Sequence, residues 1–235
     1  MAHYRSVDYQ ASRSLALNAF MRGVYGWMFI GLLVTAVVSL YVVSNTAMMQ
    51  FIFQNQMVFF GLMIGELALV AGLSMAINRI SGTTATLLFM LYSALNGVTL
   101  SFIFLVYTQS SIVNAFLVAA GMFGAMSIYG IVTKKDLTSW GSFLFMGLIG
   151  IIIASVVNIF LHSSAMSFVI SCIGVLVFTG LTAYDTQRLR IMGETAPAEG
   201  GTVVRRATIL GALTLYLDFI NLFLMLLRLF GGSRD

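Results

Sequence analysis

Charge is what this sequence has least of. Only 9% of its 235 residues are Asp, Glu, Lys or Arg, against roughly a quarter in a soluble domain. A water-facing surface of ordinary polarity cannot be built from that. Proline occurs once, at Pro197, so long helices meet almost no internal breaker. One cysteine, Cys172, rules out an intramolecular disulfide. With only two histidines, His3 and His162, no zinc or haem site can be assembled inside an apolar run. The GxxxxGK[ST] loop that cradles phosphates is missing. So is any serine nucleophile set for His162. The polar N-terminus has no small-residue cleavage site behind a short apolar core, so the first apolar run is expected to be the targeting signal itself.

What is abundant is apolar. The chain is 60% hydrophobic, with a mean hydropathy of +0.99 and 22 glycines, a composition suited to close approach of membrane helices. A spanning helix needs about 20 predominantly apolar residues. Seven runs meet that length: Val24–Ser44, Met57–Ile77, Thr84–Tyr107, Ile112–Val132, Gly141–Leu161, Met166–Asp185 and Ala207–Phe230. They are apolar on both parities and longer than the ten-residue alternations of a membrane barrel. The expected fold is an all-α integral membrane protein of seven spans, with the lipid bilayer as its first partner. Residues 1–23 form an N-terminal segment, 24–230 the membrane domain and 231–235 a tail. The one loop of consequence is 187–206, which contains GETAPAEGG and is expected to be a flexible connector.

The joints orient the chain. NTAMMQFIFQNQ, TQSS and HSSAMS carry no charged residue. The opposite joints and the N-terminus hold Arg5, Arg13, Arg22, Arg79, Lys134, Lys135, Arg188, Arg190, Arg205 and Arg206, ten of the twelve basic residues. The positive-inside rule then puts the N-terminus in the cytoplasm and, with seven spans, the C-terminus outside. Arg228 and Arg234 make the last span the exception. The formal net charge of +4 does not point to nucleic acid, because the basic residues sit singly or in pairs at the ends of apolar runs.

Charges inside spans are costly and are functional candidates by default. Asp136, beside Lys134 and Lys135, reads as a solvated loop carboxylate. Glu66, mid-run in GLMIGELALV, either faces a polar interior or is neutral and hydrogen-bonded between helices; it is a candidate pathway residue. Asp185, in TGLTAYDTQRLR, either pairs at the interface with Arg188 or Arg190, or continues a polar stripe with Thr182. Asp218 stands deepest, roughly 18 Å from Arg206 at 1.5 Å per residue. There it must be protonated, paired or facing water. Thr214, Asp218 and Asn221 share one helical face. Ser93, Asn96 and Gly97 share a side of the third run, and Gly147, Gly150, Ala154 and Asn158 line the fifth, where close packing is expected. Asn96, Asn158 and Asn221 join Glu66 as pathway candidates. Tyr184–Asp185 matches one signature of aspartyl intramembrane proteases, but Leu217 before Asp218 breaks the other, so no enzyme is expected.

TAYDTQ at the end of the sixth run and ALTLYLDFINLFLMLLRLFG through the seventh resemble the transmembrane Bax inhibitor motif family, in its bacterial branch. KKDLTSWGSFLFMGLIGIIIASVVNIF and LNGVTLSFIF extend the likeness over the membrane region. The resemblance implies six helices around a central seventh, in a bacterial inner membrane. It implies a pH-sensitive calcium leak governed by a paired-aspartate site, carried here by Asp185 and Asp218, with Arg79 matching a basic latch. Calcium is then the permeant ion and a ligand of the Asp185/Asp218 pair; no cofactor is implied. Some relatives associate with a membrane-bound ATP-dependent protease, so the alternative is a non-transporting modulator of such a protease. Carboxylate oxygens are suitable hard ligands for calcium, and two carboxylates in a dry site cannot both ionise cheaply.

Overall fold

The computed structural model describes residues 2–195 and 201–232, with the backbone alone for residues 2–12. The described residues are all-α: α1 (Ala2–Ser44), α2 (Thr46–Gln54), α3 (Gln56–Ala76), α4 (Gly82–Leu100), α5 (Ile103–Val106), α6 (Gln109–Val132), α7 (Thr138–Leu161), α8 (Ser164–Glu194) and α9 (Thr202–Phe230). Seven stretches are long and apolar enough to cross a membrane: α3, α6, α7, α8, α9, the Arg13–Ser44 part of α1, and α4 with α5.

Four boundaries differ from the sequence expectation. Residues 1–23 are not set apart from the first span, because α1 is helical from Ala2. Further along it, Arg13 Nε donates to the Glu194 carbonyl at 2.7 Å. The 187–206 loop is largely helix. Leu189 and Gln187 are buried, so α8 gains tertiary contacts for its last turns and ends only where Thr195 N donates back to Met192 O. Pro197 and the rest of 196–200 lie outside the described residues. The polar-looking joint after α1 contains α2, because Asn45 Oδ1 caps it through Met48 N at 3.1 Å and Asn55 both ends it and caps α3. The third span breaks at Ser101, where the ladder tightens: Ser101 N reaches Val98 O and Phe104 N reaches Ser101 O, the i→i−3 pattern of a 3₁₀ turn.

The chain forms two compact units, residues 1–105 with 191–216, and residues 106–190 with 217–235. In the first, α1 crosses α4 closely. A Cβ on Gly97 would stand 2.6 Å from the Thr35 carbonyl oxygen, so only glycine fits that crossing. Ser39 Oγ donates to Gly97 O at 2.6 Å and Thr35 Oγ1 to Ser93 O at 2.9 Å. Phe89, Ile209, Leu213 and Tyr216 fill the interior. In the second unit, α6 meets α8 where a Cβ on Gly130 would lie 2.5 Å from Ala183 O. Phe219 packs edge-on against Phe116 and Phe123, with ring centroids 5.4 and 5.5 Å away. The small-residue run of α7 packs closely only in part. Gly147 meets Val177 of α8, whereas Gly150 faces open space.

Helix α9 supplies core to both units. In its most apolar window 72% of the residues are buried, against 39% or less in every other span. A helix surrounded by protein rather than lipid can carry polar groups that lipid would reject.

Candidate functional site

Asp185 is not at the end of its helix. It lies nine residues before Glu194 on α8 and is 8% exposed, while Asp218 on α9 is 5% exposed. Both belong to the second unit. Their carboxyl groups are within hydrogen-bonding reach of each other, and Asp218 Oδ2 is buried with no hydrogen-bond partner. Arg188, exposed one turn further along α8, is the cation whose charge acts on Asp185. An oxygen acts as donor only when it carries a proton, so two carboxyl groups in contact hold together through a shared proton and repel without one.

Three polar residues near the pair in sequence are turned to their own helices. Thr182 Oγ1 donates to Phe178 O at 2.8 Å, and Asn221 Nδ2 donates to Leu217 O at 2.8 Å. Thr214 likewise donates to Leu210 O at 3.1 Å. Two further buried oxygens of this unit, Ser127 Oγ on α6 and Thr179 Oγ1 on α8, have no partner. Among its described residues the second unit thus holds three buried side-chain oxygens, Asp218 Oδ2, Ser127 Oγ and Thr179 Oγ1, open to a donor or a cation. A resident metal does not fit as well. Among the described residues no group of three or more His, Cys, Asp or Glu side chains is placed to hold an ion, and two carboxyl groups fall short of the six to eight oxygens that calcium takes.

Anchoring of the C-terminal half of α8 was not legible in sequence. Gln187 is buried; its Oε1 accepts from Leu137 N at 2.9 Å and its Nε2 donates to Lys135 O at 2.8 Å. Arg190 Nη1 donates to Ile131 O at 2.6 Å. Both side chains clamp the α6–α7 turn against the helix that carries Asp185. Asp136 in that turn is fully exposed and accepts from Thr138 N at 2.9 Å. This contact with Thr138 holds its carboxyl below the usual carboxylate range.

Glu66 and Asn96 come together in the first unit. Asn96 Nδ2 donates to Glu66 Oε2 at 3.2 Å, and Thr99 Oγ1 donates to Oε1. Asn96 Oδ1 accepts from Tyr216 Oη at 3.0 Å, and Tyr216 Oη lies 2.6 Å from Thr35 Oγ1. Tyr216 and Thr35 were missed by sequence reading, because an aromatic and a threonine in apolar runs give no signal. Asn158 holds a turn instead: its Nδ2 donates to Ser167 Oγ at 2.7 Å and its Oδ1 accepts from Ser163 N at 3.1 Å. Arg79 is exposed in the turn between α3 and α4, in the first unit.

Residues 17–235 match the family described as inhibitor of apoptosis-promoting Bax1, Bax1-I. The inner membrane protein YbhL of Escherichia coli K12 is 56% identical over 218 residues, covering 93% of each chain. An uncharacterized protein of Borreliella burgdorferi is 49% identical over 94% of this chain and 95% of its own. One of Rickettsia prowazekii is 44% identical over 93% of this chain and 92% of its own.

Proposed function

The chain belongs to the Bax1-I family, and on that premise we propose that it is a multi-pass protein of a bacterial inner membrane that leaks calcium under the control of its Asp185/Asp218 pair. The observation that carries this reading is the direct approach of two buried carboxyl groups on successive spans. With one proton between them they join α8 to the second half of α9. Without it they become two like charges in a dry site, and the junction opens. The oxygens so released are hard ligands, and Asp218 Oδ2, Ser127 Oγ and Thr179 Oγ1 already lack partners. Calcium passes as a permeant ion by exchanging among weakly held oxygens, because a pathway that bound it tightly would not conduct.

The test is calcium flux into liposomes that contain the purified protein and nothing else. Flux that responds to pH in the parent and loses that response in Asp218→Asn supports the reading. Protein that carries no flux at any pH overturns it and turns attention to regulation of a membrane protease.

A further inference from the structure

α3 is the least covered span, with 6% of its most apolar window buried, yet it carries a carboxyl group at its midpoint. Glu66 lies ten residues from Gln56 and ten from Ala76, about 15 Å from either end at 1.5 Å per residue. α3 packs on α2 and α4, and neither carries Asp, Glu, Lys, Arg or His. The titratable side chains whose fields meet it are Tyr92 of α4 and Tyr216 of α9. Two neutral donors, from Asn96 and Thr99, occupy its two oxygens.

From Glu66 a continuous chain of side chains crosses the first unit. It runs through Asn96 of α4 and Tyr216 of α9 to Thr35 of α1. We propose that Glu66 is a proton-binding site, and that Asn96 and Tyr216 pass its protonation state from α3 to α9 by reversing the direction of this hydrogen-bond chain. The inference stands apart from calcium passage and uses none of the groups in the aspartate pair.

The chemistry of each member allows two complete arrangements. With Glu66 ionised, Asn96 Nδ2 and Thr99 Oγ1 donate to the carboxylate, and Asn96 Oδ1 accepts the Tyr216 hydroxyl proton. Tyr216 Oη then accepts from Thr35 Oγ1, whose single proton is in this arrangement withdrawn from the Gly31 and Ser93 carbonyls. With a proton added at Oε2, Glu66 donates to Asn96 Oδ1 once the amide has turned over. Asn96 Nδ2 donates to Tyr216 Oη, and Tyr216 donates to Thr35 Oγ1. Thr35 in turn donates to the carbonyl of Gly31 or Ser93, which lie 3.0 and 2.9 Å away. One proton enters, and the three downstream bonds change direction. Neither arrangement leaves a donor unmet, since amides and hydroxyls both donate and accept.

The phenol can reverse its bond but cannot leave it. Tyr216 is fully buried, with Phe89 and Tyr92 edge-on at 5.8 and 5.7 Å. A chain whose members polarise one another is also stiffer than its separate pairs. Asn96 and Tyr216 act here as positioning residues, since the proton resides on Glu66.

Infrared difference spectra of the full chain in lipid nanodiscs, taken between acid and alkaline pH, test this directly. We expect a carboxyl band and a tyrosine C–O band that titrate with one midpoint. Glu66→Gln, which keeps size and hydrogen bonding, should abolish both. Tyr216→Phe should remove the tyrosine band and leave the carboxyl band. A tyrosine band that survives either substitution overturns the proposal. So does a set of carboxyl bands from which Glu66→Gln removes none, the bands of Asp185 and Asp218 being expected to persist. If Glu66→Gln fails to fold, the common midpoint in the parent and the loss in Tyr216→Phe still decide it. Because no flux is measured, a failed calcium assay leaves this result standing.

Discussion

Replacing Asp218 by asparagine removes one titration while keeping the shape of the side chain. On the proposed mechanism, raising pH in the parent takes the shared proton and leaves two carboxylates in contact. At about 4 Å and an effective dielectric of about 20, their repulsion is about 4 kcal/mol. At about 1.4 kcal/mol per tenfold, that moves a two-state junction by about a thousandfold. The asparagine amide donates to Asp185 at every pH, so the junction stays joined and the repulsion never develops. Calcium flux into proteoliposomes, followed from about pH 4 to about pH 9 to span carboxyl and imidazole titration, should rise with pH in the parent. In Asp218→Asn it should stay flat at the acid level. Asp185→Asn should behave alike, because coupled groups titrate as a unit. Two results refute the reasoning. Both single variants keeping the parental profile would remove the pair as the sensor. Parental flux that falls as pH rises would keep the pair but reject repulsion as the trigger.

The orientation argument predicts that, with Cys172→Ser as background, single cysteines at Asn55 and Ser110 react with an impermeant thiol reagent on whole cells while one at Lys135 does not; the reverse pattern inverts the topology. Gln187→Ala removes two hydrogen bonds that hold residues 135–137, each worth about 1 kcal/mol. Cleavage by trypsin at Lys134 or Lys135 in open vesicles should therefore accelerate about tenfold or more, and an unchanged rate would mean that Arg190 alone clamps the turn. Gly97→Val drives side-chain atoms into the Thr35 carbonyl and should cost about 1–3 kcal/mol, read as a lower melting temperature in detergent; a melting temperature equal to the parent's would show that the α1–α4 crossing yields.

The spans were legible because lipid demands uninterrupted apolar helix, and length and composition report that directly. Their ends were less so. Polar residues at 187–194 read as loop, yet they extend α8, because Leu189 and Gln187 are buried by tertiary contacts that no local pattern encodes. Asp185 and Asp218 could be singled out from cost alone, and both lie buried in one unit. The partners of Glu66 could not be read the same way. Asn96 carried a visible polar signal, but Tyr216 and Thr35 sit among apolar neighbours and act through which helix each happens to meet. Asn158 and Asn221 looked alike in sequence and differ in place: one ties a turn, the other bonds its own helix.

The crossing of α1 and α4 has a genetic consequence. Its two bonds run from the Thr35 and Ser39 hydroxyls to main-chain carbonyls of residues 93 and 97. Every residue type supplies a carbonyl, so α4 contributes to these bonds whatever side chains it bears. Drift in α4 can rewrite its lipid-facing side chains without loosening the joint, provided position 97 stays glycine. The two α1 positions have no such freedom, because only a hydroxyl at 35 and 39 makes the bonds. Random mutagenesis scored for folded protein should find the exposed positions of α4 permissive and these two positions of α1 nearly closed, an asymmetry set by which partner lends its backbone.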